Sequence, residues 1–197
     1  MIHPNFIYLG IILQSIGGID YLIATIKGTV KPNRVTWLLW AAAPLIAFYA
    51  QYSQGVGPEA WATFIVGFFP LLIFGASFVN KKSVWNITKL DIVCGLLSLG
   101  GLIMWFATKS GNVAILFSII ADFLACVPTL VKSYFEPETE SAMVYFMGII
   151  NAGIGLLIIT SWNFENYAFV TYLLIMSVVF TVLIQFKLGK CFKKAHR

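Results

Sequence analysis

Seven long apolar runs, separated by short polar or glycine- and proline-rich breaks, divide the chain. Each run is long enough, as a helix that rises about 1.5 Å per residue, to cross a hydrocarbon core roughly 30 Å thick. The pattern therefore predicts an all-α integral membrane protein with seven transmembrane helices, near residues 5–27, 35–54, 61–80, 91–108, 112–134, 142–161 and 167–187.

The composition supports a membrane protein with several spans. Hydrophobic residues make up 59% of the chain and charged residues only 11%, whereas soluble domains are about 25% charged. The net charge of +5 could indicate a nucleic-acid partner. Its distribution along the chain indicates membrane orientation instead. We therefore expect the protein to lie in a lipid bilayer and to bind no nucleic acid.

The basic residues collect on one side of the predicted helices. With the N-terminus outside, only Lys109 lies on the outer side, and the tail 188–197 is polybasic. The positive-inside rule then places the C-terminus in the cytoplasm, in what we expect to be a bacterial inner membrane, with anionic lipids at the tail. The inner residues are Lys27, Lys31, Arg34, Lys81, Lys82, Lys89, Lys132, Lys187, Lys190, Lys193, Lys194 and Arg197.

The chain contains a weak internal repeat. At an offset of 105, Lys27 falls on Lys132, Pro32 on Pro137 and Thr36 on Ser141. Asp20 and Asp122 correspond only if the register slips by three residues, about one helical turn. The pattern predicts one three-helix unit at 1–80, a basic loop and linker helix at 81–111, and a second unit at 112–187, parallel to the first.

This arrangement, with Pro128-Thr129, Lys132 and Ser141 at their spacing, resembles the PQ-loop superfamily, which includes the SWEET sugar transporters. The resemblance implies two parallel three-helix bundles joined by a linker helix, and a carrier that works by alternating access. It also implies that the first helix of each bundle borders the central pathway. The first copy departs from the motif, because Ile23-Ala24 stands in place of Pro-Thr. The chain also resembles uncharacterised bacterial membrane proteins.

Asp20 and Asp122 are the clearest candidates for chemistry. A carboxylate within a span costs about 2.5–3.5 kcal/mol on the insertion scale, so it should face a cavity or a partner. We expect one or both to bind a cationic group, or to take up and release a proton. The structural alternative is a hydrogen bond that only fixes helix packing, and Asp20 could also pair with Lys27 or with the basic turn after it.

Four uncharged residues are further candidates for substrate binding. Asn151 lies mid-span and offers two donors and an acceptor to a substrate, or it joins neighbouring helices. Trp40 is either an interface anchor or a stacking wall for a substrate ring. Gln14 and Tyr145 are lesser candidates that could equally be packing groups.

Three prolines lie inside predicted spans, at Pro44, Pro70 and Pro128. Each removes a helical hydrogen bond, so each can act as a hinge or gate during transport or as a static kink. The resemblance favours the hinge at Pro128.

No motif for catalysis or metal binding is present. The chain has no HExxH, no GxSxG and no phosphate-binding glycine loop, and its three cysteines show no metal spacing. We therefore expect no enzyme, no cofactor and no metal. The prediction is a transporter for a small polar metabolite (sugar, amino acid or vitamin-like), with a proton as one candidate coupling ion and a homo-oligomer as one candidate assembly. The alternative is a seven-span receptor, sensor or scaffold that binds a ligand or partner without moving it.

Overall fold

The computed structural model describes residues 2–53, 55, 58–108 and 111–190. Over these residues the fold is all-helical, as predicted, with two short 3-10 helices at Lys81–Ser83 and Pro137–Thr139. The α-helices are α1 (Phe6–Lys27), α2 (Arg34–Ser53), α3 (Pro58–Ala76), α4 (Lys89–Ala107), α5 (Gly111–Phe135), α6 (Ala142–Ile158) and α7 (Phe164–Gln185). Lys109 and most of the basic tail, residues 191–197, lie outside the described residues.

Four helices are long and apolar enough to cross a membrane, which indicates a membrane protein. In the most apolar window of each, at most 28% of the residues are buried inside the protein, so most of their side chains need apolar surroundings of another kind. Lipid supplies such surroundings. The four stretches are Phe6–Lys27, Lys89–Ala107, Asn112–Phe135 and Asn166–Gln185, and three shorter apolar helices cover Arg34–Tyr49, Trp61–Ala76 and Ala142–Ile158.

Local sequence explains where several helices begin and end. α1 ends because Gly28 adopts a left-handed conformation (φ 77°) from which its N–H reaches the last turn, a conformation that glycine adopts without a Cβ penalty. Thr88 and Asp91 form a capping box at the start of α4. Ser141 caps α6 by accepting the N–H of Met143.

The helix ends of the first half meet at one end of the molecule. Arg34, at the start of α2, donates from Nη2 to the carbonyl of Ser77 beyond the end of α3 (2.8 Å). Asn80, which follows α3, donates to the carbonyl of Ile26 at the end of α1 (2.9 Å). These bonds place the ends of α1 and α3 beside the start of α2. They also explain why α3 stops before residue 80, where the apolar run ends.

The second half joins the first at the same end. The N–H of Lys31, between α1 and α2, donates to the carbonyl of Thr139, between α5 and α6 (2.8 Å). Lys190, after α7, pairs with Glu138 in that turn (2.6 Å). Asn33, between α1 and α2, donates to Asp91 in the first turn of α4 (2.7 Å). Consequently α1, α3, α5 and α7 finish, and α2, α4 and α6 start, at this end, which we term the basic end because described Lys and Arg residues cluster there.

The two halves show the same packing order. α3 packs against both α1 and α2, and α7 packs against both α5 and α6. α4 packs mainly on α5, and α1 packs on α6 across the middle of the molecule. The corresponding helices also lie close to an offset of 105 residues, since α1 begins at Phe6 and α5 at Gly111.

Candidate functional site

A cavity of about 330 Å³, the main cavity, lies among five helices from both halves. Its walls come from the middle of α2 and α5, from α3, α4 and α7, and they are largely apolar. The lining residues are Leu39, Trp40, Ala43, Pro44, Ala47, Thr63, Val66, Ser98, Leu102, Trp105, Ser118, Ala121, Asp122, Ala125, Phe169 and Leu173.

Asp122 is the single ionisable residue among those that line the main cavity. The hydroxyl of Tyr172, on α7 behind the wall, donates to its Oδ2 at 2.7 Å. Among the described residues, no hydrogen bond or ion pair engages Oδ1. The protein therefore binds one carboxylate oxygen of Asp122, Oδ2, and leaves the other, Oδ1, available to a ligand.

Two serines of the wall have used their donors, whereas the buried indole N–H of Trp40 has no hydrogen-bond partner among the described residues. The Ser98 hydroxyl donates to the carbonyl of Ala121 at 2.6 Å, and the Ser118 hydroxyl donates to the carbonyl of Ile115 at 2.7 Å. A hydroxyl that donates to the backbone keeps its lone pairs, so these two serines offer acceptors to the cavity.

A second cavity of about 180 Å³ lies beside the first, and Thr63 and Val66 of α3 line both. Gln14 of α1 and Asn151 of α6 lie in its wall. A Cβ on Gly10 would fall on the amide oxygen of Asn151, so the glycine lets α1 and α6 approach closely at this level.

The structure thus divides the predicted binding residues into three groups. Asp122 and Trp40 line the main cavity, and Gln14 and Asn151 line the second. Asp20 and Tyr145 line neither.

Asp20 and Tyr145 have partners near the basic end. Asp20 is exposed and accepts a hydrogen bond from the Ser141 hydroxyl (2.8 Å). It lies about two helical turns before Lys27, beyond the α1 residues that line the second cavity, Ile7, Ile11 and Gln14. Tyr145 is buried, stacks on Phe180 with ring centroids 4.4 Å apart, and donates to Glu140 (3.2 Å).

The three prolines lie inside continuous helices, in α2, α3 and α5. Pro44 lines the main cavity, whereas Pro70 and Pro128 are buried. Hinge motion at these positions stays a prediction.

A buried ion pair that the sequence analysis did not anticipate lies between the main cavity and the basic end. Lys132 of α5 pairs with Glu140, both side chains being 0% exposed, and also donates to the carbonyl of Lys31. The hydroxyls of Tyr21 and Tyr145 donate to Oε2 of Glu140, at 2.8 and 3.2 Å. We term Lys132, Glu140, Tyr21 and Tyr145 the buried ion-pair cluster.

An aromatic chain extends this cluster towards the cavity. Ring centroids are 4.6 Å apart for Tyr21 and Trp37, 5.4 Å for Trp37 and Trp40, and 6.1 Å for Trp40 and Phe180. On α2, Trp37 is nearer the basic end than the cavity residues 39–47. The rings and the buried ion-pair cluster therefore close the main cavity towards the basic end.

Two hydroxyls join the halves beside the cavity. Thr36 of α2 donates to the carbonyl of Ala125 (2.7 Å) and accepts from Thr129 of α5 (3.0 Å). Thr36 and Ser141 correspond at the repeat offset, and so do their partners: Thr36 of α2 bonds Ala125 of α5, and Ser141, at the start of α6, bonds Asp20 of α1. The contact between the halves is thus polar and repeated in both, with a backbone carbonyl as acceptor in one half and a carboxylate in the other.

Comparison of the chain with protein-family models, with curated proteins and with solved structures finds no significant match. Among the described residues no group of three or more His, Cys, Asp or Glu side chains could hold a metal ion.

Proposed function

We propose that this protein is a membrane carrier that moves a small polar metabolite by alternating access. The observation that carries the proposal is the main cavity, which has Asp122 in its wall and a buried, hydrogen-bonded closure on one side. A ligand-sized space with one charged group, placed between helices of both halves, is typical of a substrate site. The resemblance to the PQ-loop and SWEET group supports the same function, with no enzyme activity and no cofactor.

The proposed membrane arrangement has seven spans, the N-terminus outside and the C-terminus in the cytoplasm. The alternating positions of the helix ends support it, because helices that finish at the basic end alternate with helices that start there. The basic end then faces the cytoplasm, as the positive-inside rule requires. On this basis the main cavity is closed towards the cytoplasm.

The proposed moving parts are two parallel three-helix bundles, α1–α3 and α5–α7, with α4 as the linker. Their common packing order and their helix starts, each pair close to the repeat offset of 105 residues, support this division. Opening towards the cytoplasm would require the bundles to separate at the buried ion-pair cluster, whose members come from both. Pro128, one turn before Lys132 in α5, is the proposed hinge for that step.

Uptake into proteoliposomes tests the proposal. Purified protein is reconstituted, exposed to a mixture of sugars, amino acids, vitamins and amines, and the solutes retained inside are identified by mass spectrometry. We expect at least one solute to accumulate faster than in protein-free liposomes, and more slowly with Asp122→Asn. Specific binding of a solute without any uptake would instead favour a receptor or sensor.

A further inference from the structure

We propose that the main cavity binds a small organic cation, a protonated amine on an apolar or aromatic body, with Asp122 as its counterion. The identity of this ligand as a transported molecule rests on the carrier function proposed above, whereas its binding does not. Three features of the cavity lead to this class of ligand: its charge, its hydrogen-bonding groups and its walls.

The first feature is an uncompensated carboxyl group. No Lys, Arg or His is among the residues that line the cavity, and Asp122 takes part in no ion pair among the described residues. A carboxylate among apolar helices is costly unless a cation accompanies it. The protein supplies no such cation at this site, so a positively charged ligand would serve as the counterion of Asp122.

The second feature is that the cavity offers acceptors to a ligand. Oδ1 of Asp122 is unengaged, and the Ser98 and Ser118 hydroxyls have given their protons to backbone carbonyls. An ammonium group has donors and no acceptor, so it matches this set. An anionic ligand would meet repulsion from Asp122. A sugar would leave many of its own hydroxyls unpaired against apolar walls.

The third feature is an aromatic wall. Trp40, Trp105 and Phe169 line the cavity with Asp122, and aromatic faces attract cations within about 6 Å of the ring centre. An engineered cavity of about 150 Å³ holds one benzene, so about 330 Å³ admits one ring with a short amine-bearing arm. The ligand is thus small, and its body is apolar.

A charge series with one ring tests the proposal. Purified protein in detergent is titrated with phenethylamine (cationic), 2-phenylethanol (neutral) and phenylacetate (anionic), and binding is followed by calorimetry and thermal shift. We expect phenethylamine to bind roughly tenfold more tightly than 2-phenylethanol, a ratio that corresponds to about 1.4 kcal/mol, and phenylacetate to bind least. Equal binding of the amine and the alcohol overturns the proposal.

Two matched variants locate the effect. Asp122→Asn keeps the shape of the side chain and removes its charge, so the preference for the amine should disappear. Asp20→Asn removes an exposed carboxyl group outside both cavities, so the preference should remain. Should Asp122→Asn fail to fold, Ser118→Leu, which fills the cavity, replaces it and should abolish binding of all three probes. Retained amine preference in either cavity variant overturns the proposal.

Uptake of benzyltrimethylammonium, a permanently charged cation that cannot cross the bilayer as a neutral amine, separates this proposal from the carrier function. If the cation binds through Asp122 but does not enter proteoliposomes, the ligand class stands and the carrier function fails for it. If neutral or anionic solutes are carried while the amine is not preferred in binding, the carrier function stands and the ligand class is overturned.

Discussion

At the scale of single residues, Lys132 and Glu140 show how burial changes the meaning of a charge. In the sequence, Lys132 is one of many inner-side basic residues and Glu140 belongs to an acidic turn. In the structure both are buried and paired, and two tyrosine hydroxyls bind the same carboxylate. Since neither charge reaches water, each depends on the other for its compensation.

We expect Glu140→Gln to destabilise the protein by about 3–5 kcal/mol, because the ammonium of Lys132 would remain buried without its counterion. Lys132→Met should destabilise the protein by a similar amount, because the carboxylate of Glu140 would then remain buried without its counterion. The free energy of unfolding, measured by denaturant titration in mixed micelles, reports both changes.

The double variant Lys132→Met with Glu140→Gln completes the cycle. It should be less destabilised than the two single changes added together, because the residues are in contact. Additive losses would mean that the two side chains contribute independently. Lys190→Met, which removes a half-exposed pair with Glu138, is the control and should cost about 0–1 kcal/mol.

At the scale of helices, local sequence accounts for most boundaries, but contacts set the distances between helices. α3 contains two glycines with opposite surroundings. A Cβ on Gly67 would lie 3.1 Å from the backbone nitrogen of Leu45 and 3.1 Å from the carbonyl oxygen of Ala41 in α2, whereas a Cβ on Gly75 would meet nothing within 4 Å. Gly67 therefore permits the close contact of α2 and α3.

We expect Gly67→Ala to destabilise the protein by about 1–3 kcal/mol, because the backbone of α2 must move to admit the methyl group. Gly75→Ala is the matched control in the same helix. It should be neutral or stabilising by up to about 1 kcal/mol, since alanine favours the helix more than glycine does. Thermal unfolding of the two variants side by side would show the difference, and equal losses would contradict the packing argument.

At the scale of the whole molecule, buried side chains close the main cavity on one side, towards the basic end. The buried ion-pair cluster and the aromatic chain lie between that cavity and the basic end, and their members belong to both halves. A carrier must open this closure in each cycle. A receptor that does not move its ligand has no need to open it. Access to the cavity from the basic end therefore distinguishes a carrier from a receptor.

We expect a cysteine at Ser118, in a variant without the native cysteines, to react slowly with an impermeant thiol reagent applied at the basic end. Adding Glu140→Gln should raise that rate roughly tenfold, the effect of about 1.4 kcal/mol on the closed state. Measurement in oriented membrane vesicles gives the rates. An unchanged rate would mean that the cluster does not close the cavity.

A cysteine at Leu96 serves as the control for this experiment. Leu96 of α4 is 66% exposed on the apolar exterior. We expect lipid to surround it there, so that a thiol at this position reacts poorly, because the thiolate is its reactive form. Its rate should stay low in both backgrounds.

The sequence alone determined the class of fold and the approximate limits of its helices. Helix limits depend on local signals, each of which acts on residues close to it in the chain, so their effects can be read without knowing the fold. These signals are the length of the apolar run, Gly28, the Thr88–Asp91 capping box and Ser141. The uneven distribution of Lys and Arg is equally local. Asp122 could be singled out for the same reason, because a carboxylate within an apolar run is costly wherever the helix packs.

Only the tertiary structure decided which polar residues share a space. Asp20 and Asp122 were both candidates in the sequence, yet Asp122 lines the main cavity and Asp20 bonds Ser141 near the basic end. Tyr172, Trp105 and Phe169 carried no signal of their own. The pairing of Lys132 with Glu140 depends on how α5 meets the turn before α6 and on two tyrosines from α1 and α6. Contacts between side chains distant in sequence depend on helix rotation and spacing, which no local pattern specifies.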